Sequence, residues 1–270
     1  MSVNTRRCVS AIATASTAAA LALFGAGAAH AATTNYVALG DSYSSGVGAG
    51  NYTSASGSCD QSTNAYPYLY DSAYAPTFTD EACSGAKTSD VISSQLGALS
   101  SSTTLVSMTI GGNDVGFTTV MEDCILGSDS DCQSDVASAE SYAENTLPGL
   151  LDTTYSDIRK DAPNAHVVIM GYPEFYDLSM SSICVGLSTT DRTALNNAAD
   201  TLDGVIQTAA QNAGDSYADV RGRFQGHELC DYFSDEWLHS VNVSDVTESY
   251  HPNADGHADG YLPAMDSVTG

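Results

Sequence analysis

The segment Val37-Ala38-Leu39-Gly40-Asp41-Ser42-Tyr43-Ser44-Ser45-Gly46 joins an apolar run to a turn that carries a serine. Residues 35–39 predict a short buried strand, and Gly40 permits the sharp change of backbone direction that ends it. Ser42 therefore follows the carboxyl end of a strand. In open parallel α/β sheets, ligands bind along that edge, where loops and helix N-termini present backbone N–H groups. A serine that only caps a turn is the common alternative, so the assignment depends on the rest of the chain.

Four further segments have the composition of strands. Residues 104–110 and 166–171 are nearly continuous runs of branched and apolar residues, as expected for parallel strands that are buried on both faces. Residues 77–82 and 215–220 predict the other two strands. Helical patterns lie between the strands, over residues 64–73, 89–99, 115–126, 140–161 and 190–213. This alternation predicts a three-layer α/β/α sandwich with a central five-stranded parallel sheet, because parallel strands need crossover helices to join them.

The first 31 residues have the composition of a secretory leader. Arg6 and Arg7 precede small and apolar residues, and Ala29-His30-Ala31 provides a small-residue cleavage site. We therefore expect a signal peptide over residues 1–31 and a single mature domain over residues 32–270, secreted to the extracellular medium. The paired arginines leave both the general and the twin-arginine export routes open. No later apolar run approaches the roughly 20 residues that span a bilayer, so stable membrane insertion is not expected.

The cysteines and the charge agree with an extracellular protein. Six of the seven cysteines lie in the mature chain, and an even number in an oxidising compartment predicts three disulfides. Spacing alone does not choose among the possible pairings. Loss of the leader with its two arginines takes the net charge from −25 to −27. Nucleic acid is not expected as a partner, because its phosphates would be repelled, and we expect a soluble monomer.

Two loops resemble known binding loops, one for phosphate and one for calcium, but each lacks a residue that such a loop requires. Residues 46–51 are rich in glycine, but they lack the lysine that a phosphate-binding loop needs. Residues 129–140 loosely resemble a calcium-binding EF-hand loop, with Ser134 where that loop requires glycine. A solvated acidic loop is the better interpretation of the second segment.

The other residues that serine catalysis needs occur elsewhere in the chain: a histidine in the loop before the last helix, and two candidate oxyanion donors after other strands. A serine hydroxyl needs a base near neutral pH, and histidine has a suitable ordinary pKa. His251 is the favoured base, because Pro252 keeps it out of helical geometry and holds it on a rigid turn. Gly85 and Asn113 follow the second and third strands. With the Ser42 amide, they would supply donors to one oxyanion if the first three strands are adjacent.

Four sequence blocks, in this order along the mature chain, resemble those of the SGNH (GDSL) hydrolases. They are Gly40-Asp41-Ser42 with Gly46, Gly85 after a strand, Gly111-Gly112-Asn113-Asp114, and His251-Pro252-Asn253 with Gly256. The resemblance implies that Ser42 is the nucleophile, His251 the base, and Ser42, Gly85 and Asn113 the oxyanion donors. It also implies a flavodoxin-like sheet order and no metal or cofactor. In secreted actinobacterial relatives the disulfides join cysteines that are neighbours in sequence, here Cys59–Cys83, Cys124–Cys132 and Cys184–Cys230.

One position departs from the family pattern. The family usually carries aspartate three residues before the histidine, and this chain has Glu248 there. The Glu248 carboxylate could orient the imidazole, or a main-chain carbonyl from Ser249 could do so, as in some secreted relatives. We favour the second arrangement, a Ser-His dyad.

The sequence therefore predicts a secreted serine ester hydrolase that cleaves carboxylic esters of lipids, as a lipase, esterase or phospholipase A1. Two alternatives remain: a polysaccharide O-deacetylase of the same fold, and a catalytically silent secreted binding protein. The acyl-chain preference is not fixed by the sequence, because it depends on pocket walls that we expect residues 46–51 and 172–189 to form.

Overall fold

Five parallel strands form the central sheet. The protein was analysed as a computed structural model, which describes residues 1, 34–75, 77–179, 184–231 and 235–269. The strands are β1 (Asn35–Gly40), β2 (Thr77–Asp80), β3 (Leu105–Thr109), β4 (His166–Met170) and β5 (Ser216–Ala218). Their order is β2-β1-β3-β4-β5, and every pair is parallel. This is the flavodoxin-like order, so the predicted fold class is confirmed.

Helices cover both faces of this sheet. The α-helices are α1 (Ser42–Ser45), α2 (Tyr66–Tyr74), α3 (Thr88–Asp90), α4 (Phe117–Leu126), α5 (Asp129–Asn145), α6 (Leu147–Asp161), α7 (Thr189–Ala213), α8 (Arg221–Phe224) and α9 (Leu262–Thr269). α3 continues as a π-helical turn and a 3₁₀ turn over residues 91–98. On one face α2 contacts α9, and on the other α6 contacts α3 and α7. The chain moves in one direction along the sheet from β1 to β2 and in the opposite direction from β3 to β5. Because the crossovers are right-handed, the helices of these two parts lie on opposite faces.

The strands next to the reversal of strand order are the most buried part of the protein. No residue of β3 is more than 4% exposed. The polar Ser107 is tolerated there because its hydroxyl lies 2.6 Å from that of Tyr36, so both buried oxygens have a partner. β1 lies between β2 and β3, and its carboxyl end is at the switch point of the sheet, where ligands bind in folds of this type.

Gly40 permits close contact between β1 and β3. It has a φ of +118°, and a Cβ at this position would lie 2.3 Å from the Thr109 carbonyl oxygen. Any other residue would force the two backbones apart. The turn that carries Ser42 therefore lies directly against the end of β3.

The predicted acidic loop after Leu126 is wrong, because residues 129–145 form α5. Ser128 caps this helix: its hydroxyl accepts from the Asp131 amide, and the Asp131 carboxylate accepts from the Ser128 amide. Acidic residues in a first turn also interact favourably with the helix dipole. The predicted segment 140–161 breaks at Thr146, and α6 begins with Pro148 in its first turn, so the two-helix alternative is correct.

Three disulfides form, as predicted, between cysteines that are neighbours in sequence: Cys59–Cys83, Cys124–Cys132 and Cys184–Cys230. The second one joins α4 to the first turn of α5. No helix among the described residues is both long and apolar enough to cross a membrane. The predicted leader, residues 1–31, lies outside the described residues apart from Met1.

Candidate active site

The turn after β1 fixes Ser42 through its neighbour Asp41. The Asp41 amide donates to the Thr109 carbonyl at 3.0 Å. The Asp41 carboxylate accepts from the Tyr43 amide at 3.0 Å and from the Thr109 hydroxyl at 2.7 Å. These contacts cap α1, of which Ser42 is the first residue. The serine is thus held at a helix N-terminus on the carboxyl edge of the sheet.

His251 contacts Ser42 directly, although 209 positions separate the two residues. The imidazole Nε2 lies 2.7 Å from the Ser42 hydroxyl oxygen. Nδ1 lies 3.1 Å from the Ser249 carbonyl oxygen, which can only accept a hydrogen bond. The proton of the neutral ring must therefore be on Nδ1, which leaves Nε2 free to accept the serine proton. Burial lowers the pKa of His251 to about 4, so the ring is neutral at physiological pH.

Glu248 does not contact the imidazole. Its carboxylate accepts from the Tyr52 hydroxyl at 2.8 Å and from the Asn242 side-chain amide at 3.2 Å. Among the described residues, no carboxylate accepts a hydrogen bond from His251. The geometry therefore agrees with the dyad that we favoured from the sequence. Tyr52 is 196 positions from Glu248, and no local sequence pattern indicates that contact.

The predicted oxyanion donors lie on segments that are tied to one another. The Cys83 amide donates to the Gly40 carbonyl at 3.0 Å, and the Asn113 side-chain amide donates to the Ala86 carbonyl at 3.0 Å. Within the described part of the chain, the backbone N–H groups of Ser42 and Gly85 donate to no protein acceptor. Asn113 Nδ2 carries a second N–H in addition to the one bound to Ala86. The arrangement thus keeps donors available at the ends of β1, β2 and β3.

Tyr172 is a site residue that the sequence analysis did not single out. Its hydroxyl donates to the Asp41 carboxylate and accepts from the Gly112 amide at 3.2 Å. It thereby links the serine turn to the loop that carries Asn113. Burial raises the pKa of Asp41 to about 6, and the hydrogen bonds from Tyr172 and Thr109 oppose that rise. Tyr172 follows the end of β4. Ser42, Gly85 and Asn113 were selected because they follow the carboxyl ends of strands, and the same criterion would have selected Tyr172.

Gly48 brings the glycine-rich loop against the histidine. A Cβ at Gly48 would lie 2.7 Å from the Pro252 carbonyl oxygen and 3.1 Å from the His251 Cβ. His239 packs in the same place, with Nε2 2.8 Å from the Gly48 carbonyl oxygen. The loop over residues 46–51 therefore supports the base.

An apolar groove begins beside Ser42 and Asn113 and lies between α4, α5 and α7. Its empty volume is about 680 Å³, including the solvent at its open mouth. Among the described residues that line it, only Asp41 and Glu140 have carboxylates. The other lining residues are Ser42, Tyr43, Gly112, Asn113, Val115, Phe117, Val120, Ala139, Ala143, Tyr172, Phe175, Leu195, Ala198, Ala199 and Leu202. An extended apolar group attached to a carbonyl at Ser42 would fit this groove chemically.

The described residues contain no group of three or more His, Cys, Asp or Glu side chains that could hold a metal ion. At the start of α5, Asp131 accepts from the Ser128 amide as part of the helix cap. His257 is fully buried and accepts from the Tyr66 amide through Nδ1 at 3.3 Å, which indicates a role in packing.

Comparison with known proteins identifies the family. "Lipase 1" of Streptomyces coelicolor is 54% identical over 256 residues, which cover 93% of this chain and 94% of that protein. The crystal structure of phospholipase A1 from Streptomyces albidoflavus has a TM-score of 0.84 and 51% identity, and the match covers 87% of this chain and 99% of that one. The crystal structure of an extracellular lipase from Streptomyces rimosus also has a TM-score of 0.84, with 49% identity, and the match covers 87% of this chain and 100% of that one. Residues 38–258 match the GDSL-like Lipase/Acylhydrolase family, and the chain belongs to it.

Proposed function

We propose that this protein is a secreted serine ester hydrolase that cleaves carboxylic esters of lipids through an acyl-enzyme on Ser42. The observation that carries the proposal is the 2.7 Å contact between the Ser42 hydroxyl and Nε2 of a neutral His251. A base within hydrogen-bond reach of a serine hydroxyl is what nucleophilic catalysis requires. The lipases and the phospholipase A1 among its relatives support the same reaction class.

The proposed reaction has two half-reactions. His251 Nε2 takes the proton of Ser42 as the hydroxyl oxygen attacks the ester carbonyl, and the imidazolium then protonates the departing alcohol. Water attacks the acyl-enzyme in the second half, with its proton taken by the same nitrogen, and the carboxylic acid leaves as Ser42 regains its proton. The Ser249 carbonyl keeps Nδ1 protonated throughout, so the ring accepts and donates through one atom.

We assign the oxyanion to the backbone N–H groups of Ser42 and Gly85 and the side chain of Asn113. The Ser42 and Gly85 amides have no other acceptor among the described residues. The Asn113 side-chain amide uses one N–H for the Ala86 carbonyl and has a second one available. Donors aimed at the developing charge are typically worth about 3 kcal/mol each. The reaction requires no metal or cofactor in this scheme.

The apolar groove supports a fatty-acyl group as the acid part of the substrate. It begins at Ser42 and is lined almost entirely by carbon, so each methylene that enters it leaves water. The alcohol part would leave on the side of His251. A lipid ester or a phospholipid fits these features better than an acetylated polysaccharide, whose acyl group has one methyl.

Export and assembly complete the proposal. A leader over residues 1–31 followed by a mature domain over residues 32–270 agrees with three disulfides, which persist in oxidising compartments. We expect a soluble extracellular monomer without nucleic-acid partners, since the net charge of the chain is strongly negative.

A labelling experiment and a substrate panel test the function together. A lipid-like organophosphonate should label wild-type protein on Ser42 and should not label Ser42→Ala. Initial rates on p-nitrophenyl acetate, p-nitrophenyl decanoate and a phosphatidylcholine would then identify the substrate class. Activity confined to acetyl esters would favour the deacetylase, and an unlabelled, inactive folded protein would favour a silent binding role.

A further inference from the structure

Among the described residues, no carboxylate orients the catalytic histidine as one usually does, so the orientation of the His251 ring depends on the path of the main chain. Nδ1 is held by the carbonyl of Ser249, two residues earlier. Between them, Tyr250 has a φ of +64°. A residue with a bulky side chain adopts this left-handed conformation only where its surroundings impose it. The structure must therefore contain contacts that hold residue 250 in place.

Tyr43 makes such a contact from the nucleophile's own helix. It follows Ser42 directly on α1 and is 3% exposed. Its hydroxyl donates to the Tyr250 carbonyl at 2.6 Å. Its ring lies against the imidazole of His251, with the ring centroids 5.0 Å apart. One side chain thus binds the backbone just before the histidine and packs on the histidine ring.

We propose that Tyr43 is a positioning residue, which fixes the imidazole of His251 relative to the hydroxyl of Ser42. This inference depends on the proposed function and adds to it. A carboxylate partner would hold the ring by its far nitrogen. Here the Ser249 carbonyl holds that nitrogen, and Tyr43 holds the backbone and the ring face. Because Tyr43 and Ser42 are adjacent on one helical turn, nucleophile and base share a single support.

Tyr176 provides a matched control. Its hydroxyl lies 2.7 Å from the hydroxyl of Tyr250, so it also makes a buried contact with residue 250, but through the side chain. Tyr176→Phe removes a hydrogen bond of similar burial without touching the Tyr250 carbonyl. Tyr43→Phe removes the contact to the carbonyl and keeps the ring.

The test compares kcat and KM of Y43F and Y176F on p-nitrophenyl acetate, together with the rate of phosphonate labelling of Ser42. For Y43F we expect kcat and the labelling rate to fall about tenfold with KM within about twofold of wild type, since small misplacements of a catalytic group are costly. For Y176F we expect both rates to stay within about twofold. Circular dichroism would check that both variants are folded.

Several results would overturn the positioning role. One is that Y43F and Y176F have equal kcat and equal labelling rates. Another is that KM of Y43F rises while its kcat is unchanged. If Y43F does not fold, Tyr43→Met replaces it, because a flexible side chain fills the gap without a hydroxyl. For Y43M we expect kcat and the labelling rate to fall at least tenfold, since the ring contact with His251 is lost as well. A folded wild-type protein that neither hydrolyses the ester nor reacts with the phosphonate would overturn the proposed function and this inference together. An active wild type with an unaffected Y43F would overturn this inference alone.

Discussion

Narrowing the apolar groove should lower activity on long acyl chains and leave activity on acetyl esters unchanged. Ala139 lies on α5, lines the groove and is only half-buried, so a larger side chain there would extend into open groove space. The ring of Ala139→Phe would displace about four methylenes of a bound chain. At roughly 0.8 kcal/mol per buried methylene, the loss is about 3 kcal/mol, or roughly 150-fold in kcat/KM for a decanoyl ester.

The assay uses initial rates on p-nitrophenyl acetate and p-nitrophenyl decanoate for wild type, Ala139→Phe and Ala137→Phe. Ala137 is an exposed residue of the same helix that does not line the groove, so its variant controls for the effect of a phenyl ring on α5. We expect the acetate rates of all three proteins to agree within about twofold. Decanoate activity of Ala139→Phe equal to that of Ala137→Phe would refute the acyl assignment of the groove, as would an equal loss on both esters.

Four further outcomes follow from the site and its supports. Glu248→Ala should keep kcat within about threefold of wild type while His251→Ala loses on the order of 10⁵-fold, and similar losses for the two would refute the dyad. Because burial lowers the pKa of His251 to about 4 and the base must be neutral, kcat/KM should stay level from pH 8 down to about 5 and fall below that; an acidic limb near 6.5 would contradict this. Asn113→Ala should lower kcat by about 10² to 10³-fold with little change in KM, measured on the acetyl ester. Replacing Cys124 and Cys132 by alanine should lower the free energy of unfolding by about 2.5 kcal/mol, measured by urea denaturation, because their disulfide closes a loop of eight positions.

The sheet could be predicted because the sequences of its central strands have a clear strand pattern. Residues 104–110 were predicted as a strand and β3 occupies Leu105–Thr109, and residues 166–171 were predicted where β4 occupies His166–Met170. Nearly continuous apolar runs of five to seven residues that end at glycine are typical of strands buried on both faces, because a buried helix would need a longer run. The same rule, applied to strand ends, led to Ser42, Gly85 and Asn113.

α5 was missed because its sequence resembles a loop. Its first turn contains serine and aspartate, which favour turns as well as helix caps, and few apolar residues mark its inner face. The helix is held in place by packing on α7 and by the disulfide to α4, and neither contact can be recognised in the local sequence. The contacts of Glu248 with Tyr52 and of Tyr43 with Tyr250 could not be predicted for a similar reason, since each joins two segments that are far apart in the sequence.

The hydrogen bond from His251 to the Ser249 carbonyl has a consequence for how the gene can vary. Every amino acid has a main-chain carbonyl, so a missense change at codon 249 that preserves the backbone path leaves the partner of the imidazole intact. An enzyme that relies on a carboxylate for this purpose can lose it through a single codon change. Within residues 248–251 of this protein, the corresponding loss follows from an insertion, a deletion or a proline that redirects the chain.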